Sequence, residues 1–253
     1  MESSTRCSNC LALIGVCTCL LFGFASCTAS RSTTQSVNVA PGPVSSGGKG
    51  GPVGDSVQML NELKCYVYVP TSYSEEIPTP YMQVYHGGSS HADGDILTKY
   101  KETAELKGFI LCSVSLVIDP WEEDVARANG VREEIAAWYN IDFRHCYVGG
   151  FSRGGRMALY IGLLHPGWAG IHVLSSGNPP DKLRRVTKPV VSVYWTAGEK
   201  DRILDYEKVQ KDVKRLRRKG YNVNFVPIES GDWDSHALSW SDTGAAWDWT
   251  YSQ

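Results

Sequence analysis

Ser152, Asp201 and His236 supply the three residue types that acyl-transfer chemistry needs, a hydroxyl, a carboxylate and an imidazole. Ser152 lies within Gly150-Phe151-Ser152-Arg153-Gly154, between an apolar run "CYV" and the helix-like run "GGRMALYIGLL". A G-x-S-x-G pattern in that setting predicts a sharp strand-to-helix turn, which strains the serine backbone and projects its hydroxyl above a sheet edge. Gly150 and Gly154 let neighbouring backbone pass close by without a side-chain clash. The start of the following helix turns backbone N–H groups, notably that of Arg153, toward developing negative charge.

A serine hydroxyl is a weak nucleophile until a base takes its proton, and the base needs a carboxylate to orient it. Asp201 follows the strand-like "VVSVYWT" in "AGEKDRILDYEKV", and His236 follows the last strand-like run in "ESGDWDSHALSW". Asp205 is the second candidate for the acid, one helical turn later. Asp232 and Asp234 are too close to His236 in sequence to replace a strand-end carboxylate easily. His86, His91, His145, His165 and His172 all precede Asp201, so His236 is the expected base. His91 remains a candidate for lining the site, and Trp233 or Trp240 for walling an acyl pocket, since aromatic rings suit flat or sugar-bearing substrates.

From about residue 62 onward the chain resembles the α/β-hydrolases. The group it is most similar to is the secreted esterases that include feruloyl esterases, acetylxylan esterases and polyhydroxybutyrate depolymerases. The blocks that carry the resemblance are "CYVYVPTSY", "VYHGGSS", "YVGGFSRGGRMAL" and "AGEKDRILDY". It implies an oxyanion hole built from backbone around Gly87 and Gly88, with the Arg153 N–H as the second donor. The group often has Gly before the histidine, where this chain has "DWDSHA". The implied reaction is two-step ester hydrolysis through an acyl-enzyme on Ser152, with no metal or organic cofactor. The implied substrate is a small or polymer-linked ester. Two alternatives stand beside it: a serine peptidase of the prolyl-oligopeptidase type, for which the chain has no room for a propeller domain, and a catalytically inactive surface-binding relative.

Elements must bring these residues together. Strand-like runs are expected at 64–69, 81–86, 109–116, 145–149, 170–175, 190–196 and 222–228, and helices at 96–107, 122–139, 154–164, 204–219 and 239–251. Alternation of this kind predicts an α/β fold with a mostly parallel sheet covered on both faces. In "KVQKDVKRLRRK", Val209, Val213 and Leu216 fall at helical spacing, so the basic residues around them read as a solvated helix face. Only residues 176–189 separate two of the strands, too few for a large cap, so an open cleft is expected.

The N-terminal residues differ in kind. "LALIGVCTCLLFGFAS" after Arg6 has the order of an export signal and is short for a membrane span. "FASC" is similar to the lipobox of bacterial lipoproteins, which would lipidate Cys27. Residues 28–55, rich in Ser, Thr, Gly and Pro, read as a flexible tether with a span of roughly 30 Å. The catalytic domain is then expected over 56–253. Beyond Cys27, only Cys65, Cys112 and Cys146 remain, spaced for neither a disulfide framework nor a zinc site. They are expected to be buried thiols, with a Cys65–Cys112 bridge open if their strands are neighbours. With 25 basic against 27 acidic residues, nothing points to nucleic acid as a partner. A membrane partner is expected only through the lipid anchor. The sequence leaves the oligomeric state open.

Overall fold

Eight strands form one sheet in the order β1-β2-β4-β3-β5-β6-β7-β8 in the computed structural model, which describes residues 44–88, 90–115, 121–187, 191–229 and 234–253. The strands are β1 (Gly54–Leu60), β2 (Leu63–Val69), β3 (Thr79–Tyr85), β4 (Ile110–Val114), β5 (Ile141–Phe151), β6 (Gly170–Leu174), β7 (Ser192–Gly198) and β8 (Asn222–Ile228). The helices are α1 (Asp95–Lys107), α2 (Trp121–Trp138), α3 (Arg153–Leu164), α4 (Tyr206–Arg218) and α5 (Thr243–Tyr251), with a 3-10 turn at Leu238–Trp240. β3 to β8 run parallel, whereas β1 and β2 are antiparallel additions at one edge.

Both faces of the sheet are covered, and β5 shows how the sequence arranges this. Its side chains alternate, with Cys146 and Val148 packing on one side and Tyr147 on the other. The first side carries buried residues of α2, α3 and α4, including Ile135, Met157 and Val213. The second carries Ile96, Tyr100 and Ala104 of α1 and Trp247 of α5. In α4, Val209, Val213 and Leu216 are buried as the spacing predicts, and the lysines and arginines take the outer face.

Several expectations need correction. β1 was not anticipated: its residues alternate half-buried and exposed along an edge strand, and its polar, Gly-rich start resembles linker composition. Residues 44–55 are not free tether. Ser46 N–H donates to the Ile141 carbonyl (2.9 Å), Gly50 N–H to that of Trp138 (2.8 Å) and Val44 N–H to Asp142 (3.0 Å). This strap lies along the start of β5, which begins at Ile141 rather than 145. The closing helix is interrupted before Thr243, where Asp242 caps α5 by accepting from Ala245 N–H. Cys65, Cys112 and Cys146 are buried free thiols. β2 and β4 are neighbours, but the register sets Cys65 opposite Val114 and Cys112 opposite Val67. The leader, Cys27 and most of the tether lie outside the described residues, as does Trp233. Among the described residues no helix is long and apolar enough to cross a membrane.

Candidate active site

β5 ends at Phe151 and α3 begins at Arg153, leaving Ser152 alone at the turn. Its backbone sits at φ 54°, ψ −117°, a conformation that costs a non-glycine residue about 1–3 kcal/mol and persists only where the surroundings enforce it. The enforcement is visible. Ser152 N–H donates to the Leu174 carbonyl of β6 (2.9 Å), and Arg156 N–H donates to the Ser152 carbonyl (3.2 Å). Gly154 permits the turn to press against β3, because a Cβ there would lie 2.1 Å from the Tyr85 carbonyl oxygen.

Asp201 follows β7 by three residues, and His236 lies in the segment between β8 and α5. The Ser152 hydroxyl donates to His236 Nε2 (3.0 Å), and His236 Nδ1–H donates to Asp201 Oδ2 (2.7 Å). A carboxylate only accepts, so the second bond fixes the proton on Nδ1 and leaves Nε2 free to accept. The other oxygen, Asp201 Oδ1, accepts from the backbone N–H groups of Ile203 and Leu204, both at 2.8 Å. The Asp201 side chain is fully buried and that of His236 is 7% exposed. Asp205, the alternative acid, instead caps α4 by accepting from Lys208 N–H.

The loop after β3 forms the other side of the turn. An added Cβ on Gly87 would come within 3.6 Å of Ser152 Cβ, while Gly88 faces open space. The Gly87 carbonyl accepts from His86 Nδ1–H (2.7 Å) and from Ser90 N–H (3.3 Å). In a planar trans peptide the N–H of Gly88 points opposite to that carbonyl. Burial holds the His86 imidazole below the usual histidine range, against the raising effect of its bond to Gly87.

Ser152 and His236 open into a cleft of about 880 Å³, which Gly87, Gly88, Phe151 and Ile203 also line. One wall is α1, presenting Asp95, Ile96, Thr98, Lys99 and Glu102. Two suggested lining residues fall elsewhere. His91 is exposed and is not among the cleft's lining residues; its carbonyl instead accepts Gly94 N–H in the turn leading to α1. Trp240 lines a second hollow that adjoins the cleft and shares Lys99, Glu102 and Ser239 with it, because the 3-10 turn carries it past His236. Residues 176–187 contain no helix. They lie against α4, where Arg215 donates to the carbonyls of Pro179 and Pro180 and Lys219 to that of Leu183.

Four residues hold the histidine segment without having been singled out for it. Asp234 Oδ1 accepts His236 N–H (3.0 Å), and that bond holds its carboxyl below the ordinary range. Ser235 is buried and accepts from Lys200 N–H (3.1 Å). Gly198 makes room for it, since a Cβ there would sit 1.9 Å from Ser235 Oγ. The Phe151 ring lies 5.1 Å from that of His236. The "DSH" order was the available signal, an acid two residues before an imidazole in a loop.

No family model matches the sequence. The chain is 29% identical over 136 residues to the candidate esterase NocK of Nocardia uniformis subsp. tsuyamanensis, an alignment taking in 47% of this chain and 40% of that protein. Among solved structures, it is similar to a thermostable esterase (TM-score 0.65, 17% identity), covering 79% of this chain and 62% of that one. Est1E from Butyrivibrio proteoclasticus superimposes with TM-score 0.60 and 14% identity, covering 79% and 100%. The Bacillus cereus carboxylesterase does so with 0.58 and 18%, covering 75% and 94%. The fold is that of the α/β-hydrolases.

Proposed function

We propose that this chain hydrolyses carboxylic esters through an acyl-enzyme on Ser152. The observation that carries the reading is the hydrogen-bond relay from Asp201 through His236 to a strained serine on the floor of an open cleft. His236 Nε2 takes the hydroxyl proton as Ser152 Oγ attacks the ester carbonyl. Negative charge develops on the carbonyl oxygen, beside the Arg153 N–H and the backbone of Gly87 and Gly88. The imidazolium, steadied by Asp201, then gives its proton to the departing alcohol. Water then attacks the acyl carbonyl as His236 takes its proton; the bond to Ser152 breaks, the acid departs, and His236 returns the proton to the Ser152 oxygen.

An ester group displayed on a larger molecule fits this cleft better than a buried long acyl chain, because the described residues between β6 and β7, 176–187, lie against α4 and form no helical cap. Acetyl or feruloyl esters of plant-type polysaccharide are the substrates this favours. Export with a lipid on Cys27 is part of the same reading and is carried by the leader sequence. Replacing Cys27 by Ser should release the protein from membranes.

The central test is Ser152→Ala. Turnover of a short-chain aryl ester should fall by several orders of magnitude with the circular dichroism spectrum unchanged. A fluorophosphonate should label wild-type protein at Ser152 and leave His236→Ala unlabelled. Near wild-type turnover in Ser152→Ala would sink the mechanism.

A further inference from the structure

We propose that the outer face of α4, with the segment 181–187 beside it, is a docking surface for an anionic phospholipid membrane. The proposal is independent of the ester chemistry. Within 181–187 and 206–219 lie ten basic and three acidic residues, which leaves fifteen basic and twenty-four acidic residues for the rest of the chain. The molecule is therefore strongly polarised, although its formal net charge is only −2. In the sequence the helix alone stands out. The fold brings a second basic run, Lys182, Arg184 and Arg185, alongside it. Arg215 donates to the Pro180 and Asp181 carbonyls, Lys219 to that of Leu183, and Val186 N–H to that of Lys219.

These bonds go to neutral carbonyls, so they fix the surface without cancelling its charge. Arg217 likewise donates to the Val223 carbonyl. Among the described residues, the close ion pairs here are confined to Asp212, which sits between Lys208 and Arg215. Lys182, Arg184, Arg185, Lys214 and Arg218 are exposed and have no charged partner among the described residues. Lys211 meets Glu207 at 3.8 Å, with both side chains largely in solvent. Lys211, Lys214 and Arg218 form a stripe on the side of α4 opposite the buried Val209, Val213 and Leu216. With Arg217 they surround a hollow of about 440 Å³, which has room for a phosphate headgroup.

The lining and the place of this surface favour a membrane over other polyanions. A single nucleic-acid strand needs rings on which its bases stack, and lysine and arginine alone line the hollow. The stripe spans about 11 Å of convex helix, at about 1.5 Å per residue, a shape that meets a plane and does not grip a rod. Lysine and arginine stems rest against the headgroup region while their charged tips meet phosphate. α4 returns from the end of β7 to the start of β8, so its basic C-terminal half lies toward the end of the sheet opposite the cleft. At that same end Asp142, near the start of β5, holds Val44. The chain leading from the apolar run at 11–26 enters the body there. A body docked this way keeps Ser152 toward solution. Salt reverses the contact, so it orients the body and does not replace an anchor.

Full-length protein carrying Cys27→Ser, which removes the proposed lipid, is sedimented with vesicles of phosphatidylcholine alone or mixed equally with phosphatidylglycerol. The apolar run acts on both vesicles alike, so the difference between them reads the basic surface. Binding to the mixed vesicles should be at least a hundredfold tighter, and should fall steeply as salt rises from about 50 to about 300 mM. Lys211→Gln, Lys214→Gln and Arg218→Gln combined should weaken it about a hundredfold, at roughly fivefold per cation lost. Lys64→Gln, Lys101→Gln and Lys107→Gln combined, an equal loss of charge elsewhere, should leave it nearly unchanged. Melting temperatures of both triple variants check that each is folded, and the comparison of vesicles holds without them. Equal binding to the two vesicles, equal weakening by the two triple variants, or displacement of the vesicles by a short DNA duplex at matched phosphate would overturn the proposal.

Discussion

Asp201 uses both of its oxygens, and this determines what a near-isosteric change should do. Two backbone N–H groups fix Oδ1 as an acceptor, so in Asp201→Asn the amide oxygen must take that position. The amide NH2 then faces His236 Nδ1 and donates to it, which moves the imidazole proton to Nε2. A protonated Nε2 cannot accept from Ser152. We expect kcat to fall by roughly 10³–10⁴-fold with little change in melting temperature, measured on a soluble aryl ester. Activity within tenfold of wild type would mean that the carboxylate does not set the tautomer. Ser152 and its two glycines were legible from five residues because that turn tolerates so few alternatives. The support given by Gly198 and Ser235 was not, because it comes from the end of β7 meeting a loop 37 residues further along the sequence.

At the scale of elements, α1 is both a wall of the cleft and part of a buried polar tie. His172 on β6 lies 3.1 Å from the Tyr100 hydroxyl of α1 and 2.8 Å from Thr250 Oγ1 of α5. Thr250 already donates to the Ala246 carbonyl, so His172 Nε2–H donates to it and the Tyr100 hydroxyl donates to Nδ1. Burial lowers the His172 imidazole to about 3 from its ordinary 6.5, so the folded protein holds it neutral while the unfolded chain protonates. The unfolded state thus binds the extra proton below pH 6.5. Stability is complete above that pH and falls by about 1.4 kcal/mol per unit as pH drops toward 3. Urea unfolding midpoints at pH 7.5, 6 and 5 should show the decline, and His172→Gln should flatten it. A wild-type midpoint independent of pH between 7.5 and 5 would contradict the assignment. Helical and strand periodicity located α1 and β6 within a residue or so. The tie between them was invisible, because a histidine inside an apolar strand signals burial without naming its partners.

For the whole molecule, the strap at 44–51 shows the limit of reading composition. Its Ser and Gly content resembles a linker, yet small residues are what a chain needs to lie flat on a packed surface: a Cβ on Gly48 would come 2.5 Å from the Tyr139 backbone. Deleting residues 1–51 should uncover Tyr139 and Asp142 and cost on the order of 2–4 kcal/mol, summing a few net hydrogen bonds. The thermal midpoint should drop by several degrees while kcat on a small ester is unchanged. A drop in kcat without loss of stability would place the strap's role in the site instead.

The strap meets the body at the start of β5, and Ser152 follows its other end. Ile141 pairs with Thr79 and Gly150 with Tyr85, so the two ends lie roughly 20 Å apart along β3 at about 3.3 Å per residue. The last residues return to that same remote end: Tyr251 stacks on His145, and Gln253 bonds Asn222 at the start of β8. Both routes out of the folded body therefore leave from its rear. Coupling the protein to a bead through either end should expose the catalytic mouth to bulk solution, so immobilised enzyme ought to retain its rate on a polymer too large to enter any gap between bead and protein. Coupling through a cysteine introduced at Thr98, on the cleft wall, should abolish that rate while the bead-bound protein still reacts with a small phosphonate.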